Sequence, residues 1–365
     1  MLKLFEVNGF KNFKNTVRLD FSDIRDYKFN THCITNELIG KAIIYGKNAV
    51  GKSNFGLAMF DIVSHLSAKN VTPNVYDYYL NVENLNGAAE FHYVFQFEDE
   101  IIDYRYKKSE KQALVYEKLI MQDVLLYEYD YVSKQGTTDG IKELAPTLNW
   151  AFQDTECILK YVVNNTVLDD KHPLRQMIRF VNNMLWFRSL DQNRYIGFKT
   201  QSSDFFDFMF EEETYKEFEQ FLFNSGVEEK LTVIENVDGK KSLYFDAEKP
   251  LPFFKVASSG TRALYTFFYW YKTAKDASLI FMDEFDAFYH FELAESIIAI
   301  LEKMPNTQVI LTSHNTNLLT NKIMRPDCYF ILTKDKLTAI ANATTRELRE
   351  GHNLEKLYMS GEFNG

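Results

Sequence analysis

The sequence predicts an α/β fold: a mixed or parallel sheet carrying a P-loop, interrupted by a mostly helical insertion. Three observations predict it. The run Gly46-Lys-Asn-Ala-Val-Gly51-Lys52-Ser53 fits GxxxxGK[ST] and stands between an apolar strand and a helical stripe. The run Ser278-Leu-Ile-Phe-Met-Asp283-Glu284 is an apolar strand that ends in two acids. From about 260 to 312 helical and strand patterns alternate, as they do around a parallel sheet.

Taken in order, Leu2, Leu4 and Val7 give rough alternation, Val17 to Phe21 a second strand, and Lys41 to Tyr45 a buried one. Residues 53–68 suit a helix, with Phe55, Leu57, Ala58, Met59, Ile62 and Leu66 on its apolar stripe. Strand patterns return over Glu90–Phe97, Ile101–Tyr106 and Leu114–Tyr129, the last broken near Asp123. The pattern loosens from 131, and residues 173–224 read as helical. Between 204 and 229 stand Asp204, Asp207, Glu211, Glu212, Glu213, Glu217, Glu219, Glu228 and Glu229 against Lys216. A solvated amphipathic helix explains them, with an acidic docking face as the alternative. Leu231–Val237 and Lys241–Phe245 form a hairpin through Asp238-Gly239, a pair that favours the twisted type I′ turn. A helix at 260–274, a strand at 278–282, a helix near 290–303 and a strand at 307–312 follow.

The composition narrows the function classes. A net charge of −10 disfavours a generally basic nucleic-acid surface, although a local basic patch stays open. Cys33, Cys157 and Cys328 lie in no metal-binding or CxxC spacing, which argues against a zinc site or disulfide framework and suits a reducing, cytoplasmic setting. The first residues lack a signal-peptide core, and no run approaches the roughly 20 apolar residues needed to span a bilayer. The expectation is a cytoplasmic protein with no membrane partner.

The chemistry sits in four runs. In the first, glycines let the backbone wrap a phosphate with no Cβ in the way, and the helix N-terminus adds partial positive charge. Gly46, Asn48, Gly51, Lys52 and Ser53 are its nucleotide-binding candidates, Lys52 reaching the β/γ oxygens and Ser53 joining a Mg²⁺ shell. In the second, Asp283 would hold Mg²⁺ through water and Glu284 would orient or deprotonate the attacking water. An acidic loop after a core strand is the competing reading, and the P-loop displaces it. The third run, Ala257-Ser258-Ser259-Gly260-Thr261-Arg262, enters a helix and is either a second anion-binding N-terminus or an ordinary N-cap. The fourth, Val309 to Asn315, puts His314 at the tip of a buried strand, where a lone histidine is usually structural. The order of all four favours the functional readings.

That order (GxxxxGKS, SSGT, apolar-Asp-Glu, Thr-Ser-His) resembles the ABC/SMC-type ATPases, and within them the chain is similar to the OLD-like ATPases of bacterial anti-phage systems. The likeness extends to Phe5-Glu-Val-Asn-Gly-Phe-Lys-Asn-Phe13, to Asp283-Glu-Phe-Asp-Ala-Phe-Tyr-His290, and to Arg349 through Gly365. It implies an ABC-type ATPase head built from 1–130 and 231–365, a mostly helical insertion at 131–230, and ATP and Mg²⁺ as cofactors. It also implies that Ser258 and Gly260 contact the γ-phosphate held by a partner subunit, so that a homodimer or a higher homo-oligomer closes the site. His314 would sense that phosphate and join Glu284 and Lys52 in catalysis. His290 stands at the D-loop position with Asp286 beside it. Gln96 is a candidate for the glutamine that couples metal to lobe movement, with core-strand surface as the competing reading.

Two departures from those relatives matter. No heptad pattern marks a coiled-coil arm. The residues after His314 are too few for a TOPRIM nuclease, which points to a separately encoded effector, nuclease or toxin, as in the two-gene PARIS and Septu defences. The leading expectation is therefore an ATPase sensor or scaffold of phage defence, and the alternative is a RecF-like DNA-repair ATPase with DNA as partner. A small-molecule kinase would leave the signature and His314 without a role, and nothing marks a transporter.

Overall fold

A computed structural model describes residues 1–67, 76–110, 113–150, 156–188, 194–197, 204–211, 213–235, 239–287, 289 and 291–363. In chain order, β1 (Leu2–Asn8) and β2 (Val17–Asp20) precede the short pair β3 (Ile34–Thr35) and β4 (Leu38–Ile39), then β5 (Lys41–Tyr45), α1 (Lys52–Met59) and α2 (Asp61–Leu66). Next come β6 (Ala89–Phe97), β7 (Glu100–Glu110), β8 (Ala113–Met121), β9 (Val124–Asp130), β10 (Gln135–Thr137), α3 (Asp139–Leu144), α4 (Ile158–Asn165) and α5 (Pro173–Asn182). They lead to β11 (Met184–Arg188), β12 (Arg194–Gly197), α6 (Asp204–Asp207), α7 (Thr214–Asn224), β13 (Leu231–Glu235), β14 (Lys241–Phe245), β15 (Leu251–Pro252), α8 (Phe253–Val256) and α9 (Ser259–Thr273). The last elements are β16 (Leu279–Asp283), α10 (Phe291–Glu302), β17 (Gln308–Ser313), β18 (Tyr329–Leu332), β19 (Leu337–Ala339) and α11 (Leu354–Met359).

Two seven-stranded sheets enclose α1 and α2. One is antiparallel, in the order β10-β9-β8-β7-β6-β1-β2; the other runs β12-β11-β16-β17-β5-β18-β19, with its five inner strands parallel. Strands β5, β16 and β17 are buried along their whole length, as parallel strands covered on both faces must be. Phe55 turns toward Phe5 and Phe13 of the antiparallel lobe, while Phe60 faces Trp186 and Phe281 of the parallel sheet. Gly56 allows the close approach: a Cβ there would stand 2.7 Å from the Phe281 ring. The sheets are also joined directly, since Leu2 N donates to Gln308 Oε1 (2.7 Å) and Gln308 Nε2 donates back to Leu2 O (2.8 Å).

The fold class is the expected one, with differences in detail. The helix expected over 53–68 is two helices, broken at Phe60. The segment 173–224, expected to be helical, contains β11, and β11 pairs in parallel with β16. Part of the 131–230 segment therefore builds the central sheet instead of standing apart from it. The acidic segment gives α7, amphipathic as expected, with Phe218 and Leu222 buried and Glu217 paired with Lys272. The hairpin forms in the register Leu231↔Phe245; Gly239 has φ +78°, and Asp238 lies outside the described residues.

Buried polar groups link the antiparallel lobe to its helices through hydrogen bonds. Asp61 is fully buried against Lys108 Nζ (2.6 Å) and the Tyr79 and Tyr106 hydroxyls (both 2.9 Å). His65, Glu117 and Cys157 gather at the start of α4, but the Tyr104 hydroxyl stands among them, 2.7 Å from His65 Nε2 and 2.8 Å from Glu117 Oε1. Glu117 also accepts from Tyr131, Cys157 and the Ile158 amide, so the cluster is a hydrogen-bonded hub.

On the outer face of the same sheet His92 lies between Glu6 Oε2 (2.6 Å) and Asp103 Oδ2 (3.1 Å), with Arg18 and Arg105 flanking the carboxylates. Burial alone would lower the His92 pKa, but its bonds to Asp103 and Glu6 outweigh that and raise it. A raised folded-state pKa gives stability that is complete below the ordinary histidine value and lost as pH climbs through the folded one. Thermal stability should therefore fall as the pH rises above the ordinary histidine value of about 6.5, and His92→Gln should flatten that slope. A melting series over this range checks it, and equal slopes in both proteins would contradict it.

Candidate functional site

Strand β17 lies between β16 and β5, in the registers Met282↔Leu311 and Ser313↔Tyr45. The parallel pairing brings the residues that follow β5, β16 and β17 to one carboxyl edge, where open α/β sheets bind their ligands. Three segments far apart in sequence thus meet: 46–53, 283–286 and 312–315.

The phosphate loop is held in shape from several sides. A Cβ on Gly46 would lie 2.8 Å from Leu332 O, and Gly51, at φ +107°, would push one to 2.4 Å from Asn12 Nδ2. Asn12, on the β1–β2 connection, donates to Val50 O (2.8 Å) and accepts from Asn54 Nδ2 (2.7 Å), clamping the loop to the first turn of α1. Lys47 and Asn48 are exposed on the rim. Lys52 is buried, and its ammonium donates to Gly46 O (3.1 Å) and His314 Nε2 (2.6 Å). Burial lowers its pKa, while Glu284, Asp283 and Asp286 pull the other way.

Thr312 joins the two acids. Its hydroxyl donates to Asp283 Oδ1 (2.8 Å) and accepts from the Glu284 amide (2.7 Å). Glu284 has φ +47°, a left-handed conformation that costs about 1–3 kcal/mol and aims the side chain away from the strand. Its Oε1 lies 3.5 Å from His314 Nε2. Asp283 is buried, which raises its pKa; hydrogen bonds from Ser53 and Thr312 and the charge of Lys52 oppose the rise. Ser53 and Asp283 thus place a hydroxyl and a carboxylate together at the loop, a hard oxygen pair that fits Mg²⁺. Ser313 Oγ donates to Asp286 Oδ2 (2.7 Å) and accepts from the Asn315 amide (2.8 Å), fixing the turn that carries His314.

The other expected residues fall elsewhere. Ser258 caps α9, its Oγ accepting from Thr261 N (3.0 Å), and Gly260 lies in the first turn. Both stand at an accessible helix start, and among the described residues no hydrogen bond joins them to the loop of the same chain. Gln96 is not brought to the site. Its backbone pairs with Met1, next to Leu2, and Leu2 is bonded to Gln308 at the opposite end of β17 from His314. His290 lies outside the described residues.

Sequence reasoning missed Asn12 as a clamp and Thr312 as the tie between the acids. The signal for Thr312 was present, a hydroxyl pair directly before His314. The C-terminal tail has a local role: Thr316 Oγ1 donates to Glu355 Oε1 (3.1 Å), and Asn321 Nδ2 donates to Arg349 O (3.0 Å), bracing the segment after His314.

Comparison with curated proteins gave no match. Among solved structures, an SMC head bound to the C-winged helix domain of ScpA aligns at TM-score 0.45 and 13% identity, covering 93% of this chain and 97% of that one. The SMC head domain from Thermotoga maritima aligns at 0.43 and 14%, over 93% and 98%. An SMC head domain with an extended coiled coil, bound to the C-terminal domain of ScpA derived from Pyrococcus furiosus, aligns at 0.41 and 12%, over 93% and 96%. The family described as "AAA domain, putative AbiEii toxin, Type IV TA system" matches residues 41–320, a span that holds the phosphate loop, the α9 cap, both acids and His314. The chain belongs to this family of AAA-domain P-loop ATPases.

Proposed function

We propose that the chain hydrolyses ATP with Mg²⁺ as an ABC-type subunit whose site closes against a second copy, and that it serves as the sensor or scaffold of an anti-phage system. The observation that carries the hydrolytic reading is the meeting of Lys52, His314 and Glu284 at one strand edge, with the Ser53–Asp283 pair beside them. Those groups supply phosphate binding, water positioning and metal ligation at one strand edge. The accessible α9 N-terminus, with Ser258 and Gly260, offers the second copy's γ-phosphate a set of donors.

The head is assigned to 1–130 and 231–365, together with β11. The rest of 131–230, with exposed Phe206, Phe223 and the acidic face of α7, is assigned to partner contacts. The matched family's description, a putative AbiEii toxin of a type IV toxin–antitoxin system, names one half of a two-component system; the separately encoded effector, a nuclease or toxin, would be the other half. The RecF-like alternative takes DNA as partner; the net charge of −10 weighs against it.

Phosphate release from MgATP tests the proposal. We expect steady turnover that EDTA abolishes and that neither single- nor double-stranded DNA changes. Stimulation by DNA would favour the alternative, and no turnover with or without DNA would overturn the hydrolytic reading.

A further inference from the structure

We propose that Thr312 is a positioning residue for hydrolysis, which hands the placement of the Asp283 carboxylate on to Glu284, the group that prepares the attacking water. The inference rests on the hydrolytic reading above. A backbone amide can only donate, so in the 2.7 Å contact the Thr312 hydroxyl accepts from Glu284 N. Its one proton is then left for Asp283 Oδ1, 2.8 Å away. The Thr312 carbonyl also accepts from Phe285 N (3.2 Å), so one residue holds both peptide amides that follow Asp283.

That double hold falls where the backbone needs it. The paired register of β16 and β17 runs to Met282↔Leu311, and two residues later Glu284 takes its left-handed φ of +47°. Such a conformation persists only where its surroundings over-determine it, and the two bonds to Thr312 do so. Thr312 is wholly buried and aligned with Ile44 of β5. Its branched Cβ restricts χ1, so the hydroxyl moves only as β17 moves. Valine would fill the same space and make neither side-chain bond; serine would make both with a freer rotamer.

On its other side Asp283 receives the Ser53 hydroxyl, so a continuous path runs from Ser53 through Asp283 and Thr312 to the Glu284 amide. Any shift of Asp283 as the metal seat fills is passed to the turn that aims Glu284. Among the described residues the Thr312 side chain makes no hydrogen bond to the 46–53 loop. Its loss should therefore slow turnover and leave nucleotide binding alone.

The test compares wild type, Thr312→Val, Thr312→Ser, Glu284→Gln and the Thr312→Val/Glu284→Gln double variant. Turnover is measured alongside calorimetry of a non-hydrolysable MgATP analogue. A misplaced reacting group costs about a hundredfold, so kcat should fall by about that factor in Thr312→Val, with KM and analogue affinity within about threefold of wild type. Thr312→Ser should recover kcat to within about fivefold of wild type, because both bonds return. In the double variant Thr312→Val should add less than about threefold to the loss caused by Glu284→Gln, since a residue that acts through Glu284 has nothing left to act on. Wild-type turnover in Thr312→Val overturns the proposal, as does a serine variant as slow as the valine one. Analogue affinity that falls as far as turnover, or losses that simply multiply in the double variant, overturn it in favour of a general structural role. If Thr312→Val does not fold, Thr312→Ala carries the same test, and failure of both to fold overturns it likewise. In each of these cases the hydrolytic reading stands; a wild type that shows no turnover removes that reading and the proposal together.

Discussion

Glu284→Gln should abolish ATP turnover while leaving ATP bound. The substitution keeps the shape of the side chain and the backbone bond from residue 284 to Thr312, so the left-handed turn that aims it survives. What disappears is the carboxylate that would accept a proton from the attacking water. Loss of a positioned general base costs about 10²–10⁴-fold in rate, so phosphate release should fall by at least about a hundredfold. MgATP affinity should stay within a few-fold, because Lys52, Ser53 and the loop amides are untouched. With the triphosphate retained, two copies should accumulate as a closed dimer, visible by size-exclusion with light scattering as a doubling of mass on adding MgATP. Wild-type turnover in this variant would remove Glu284 from its role. Lost turnover without any dimer would leave that role in place and count against the second copy.

Much of this site was legible in the sequence because its chemistry is local. The glycine spacing of 46–53, the acids after an apolar strand, and a hydroxyl pair before His314 each lie within eight residues, and each needs only a strand end or a helix start to work. Their order along the chain supplied the remainder. Residues whose role depends on a partner distant in sequence were not legible. Asn12 acts by reaching Val50 and Asn54, and nothing near position 12 announces that reach. Gln96 shows the converse. It stands in a strand after the first helix, as the expectation required, but the pairing of β6 with β1 carries it to the far end of β17.

The error over 173–224 has the same origin. Met184, Leu185, Trp186 and Phe187 form a short apolar run, and such a run has no periodicity that separates a buried strand from a buried helix segment. It directly follows α5, whose stripe of Leu174, Met177, Phe180 and Val181 is strongly helical, so the helical reading was extended through it. Tertiary pairing decided the matter, because β16 offers a parallel edge and β11 takes it. The break at Phe60 is a packing effect of the same kind: the turn there points the ring at Trp186 and Phe281, which a continuous stripe would not predict.

Lys52→Ala should remove nucleotide binding without unfolding the protein, and the two halves of that expectation have one cause. In the structure the ammonium is desolvated, and burial lowers its pKa although three carboxylates stand nearby. A buried cation contributes little net stability, since its desolvation offsets most of its attractions. Its deletion should therefore shift the melting temperature by only a few degrees. Asp283 is the group that responds, because the charge of Lys52 now opposes the effect of burial on its carboxyl. In the variant the Asp283 pKa rises further, so stability should depend more on pH in the acidic range. Binding is another matter. The β/γ oxygens lose their one buried counter-charge, and charge-assisted hydrogen bonds of this kind are worth about 1.5–3 kcal/mol each. MgATP affinity should drop about a hundredfold or more, read by calorimetry on a protein whose circular dichroism matches the wild type. Binding within threefold of wild type would show that the triphosphate does not lie in the 46–53 loop, and the roles of Ser53, Asp283, Glu284 and His314 would fail together.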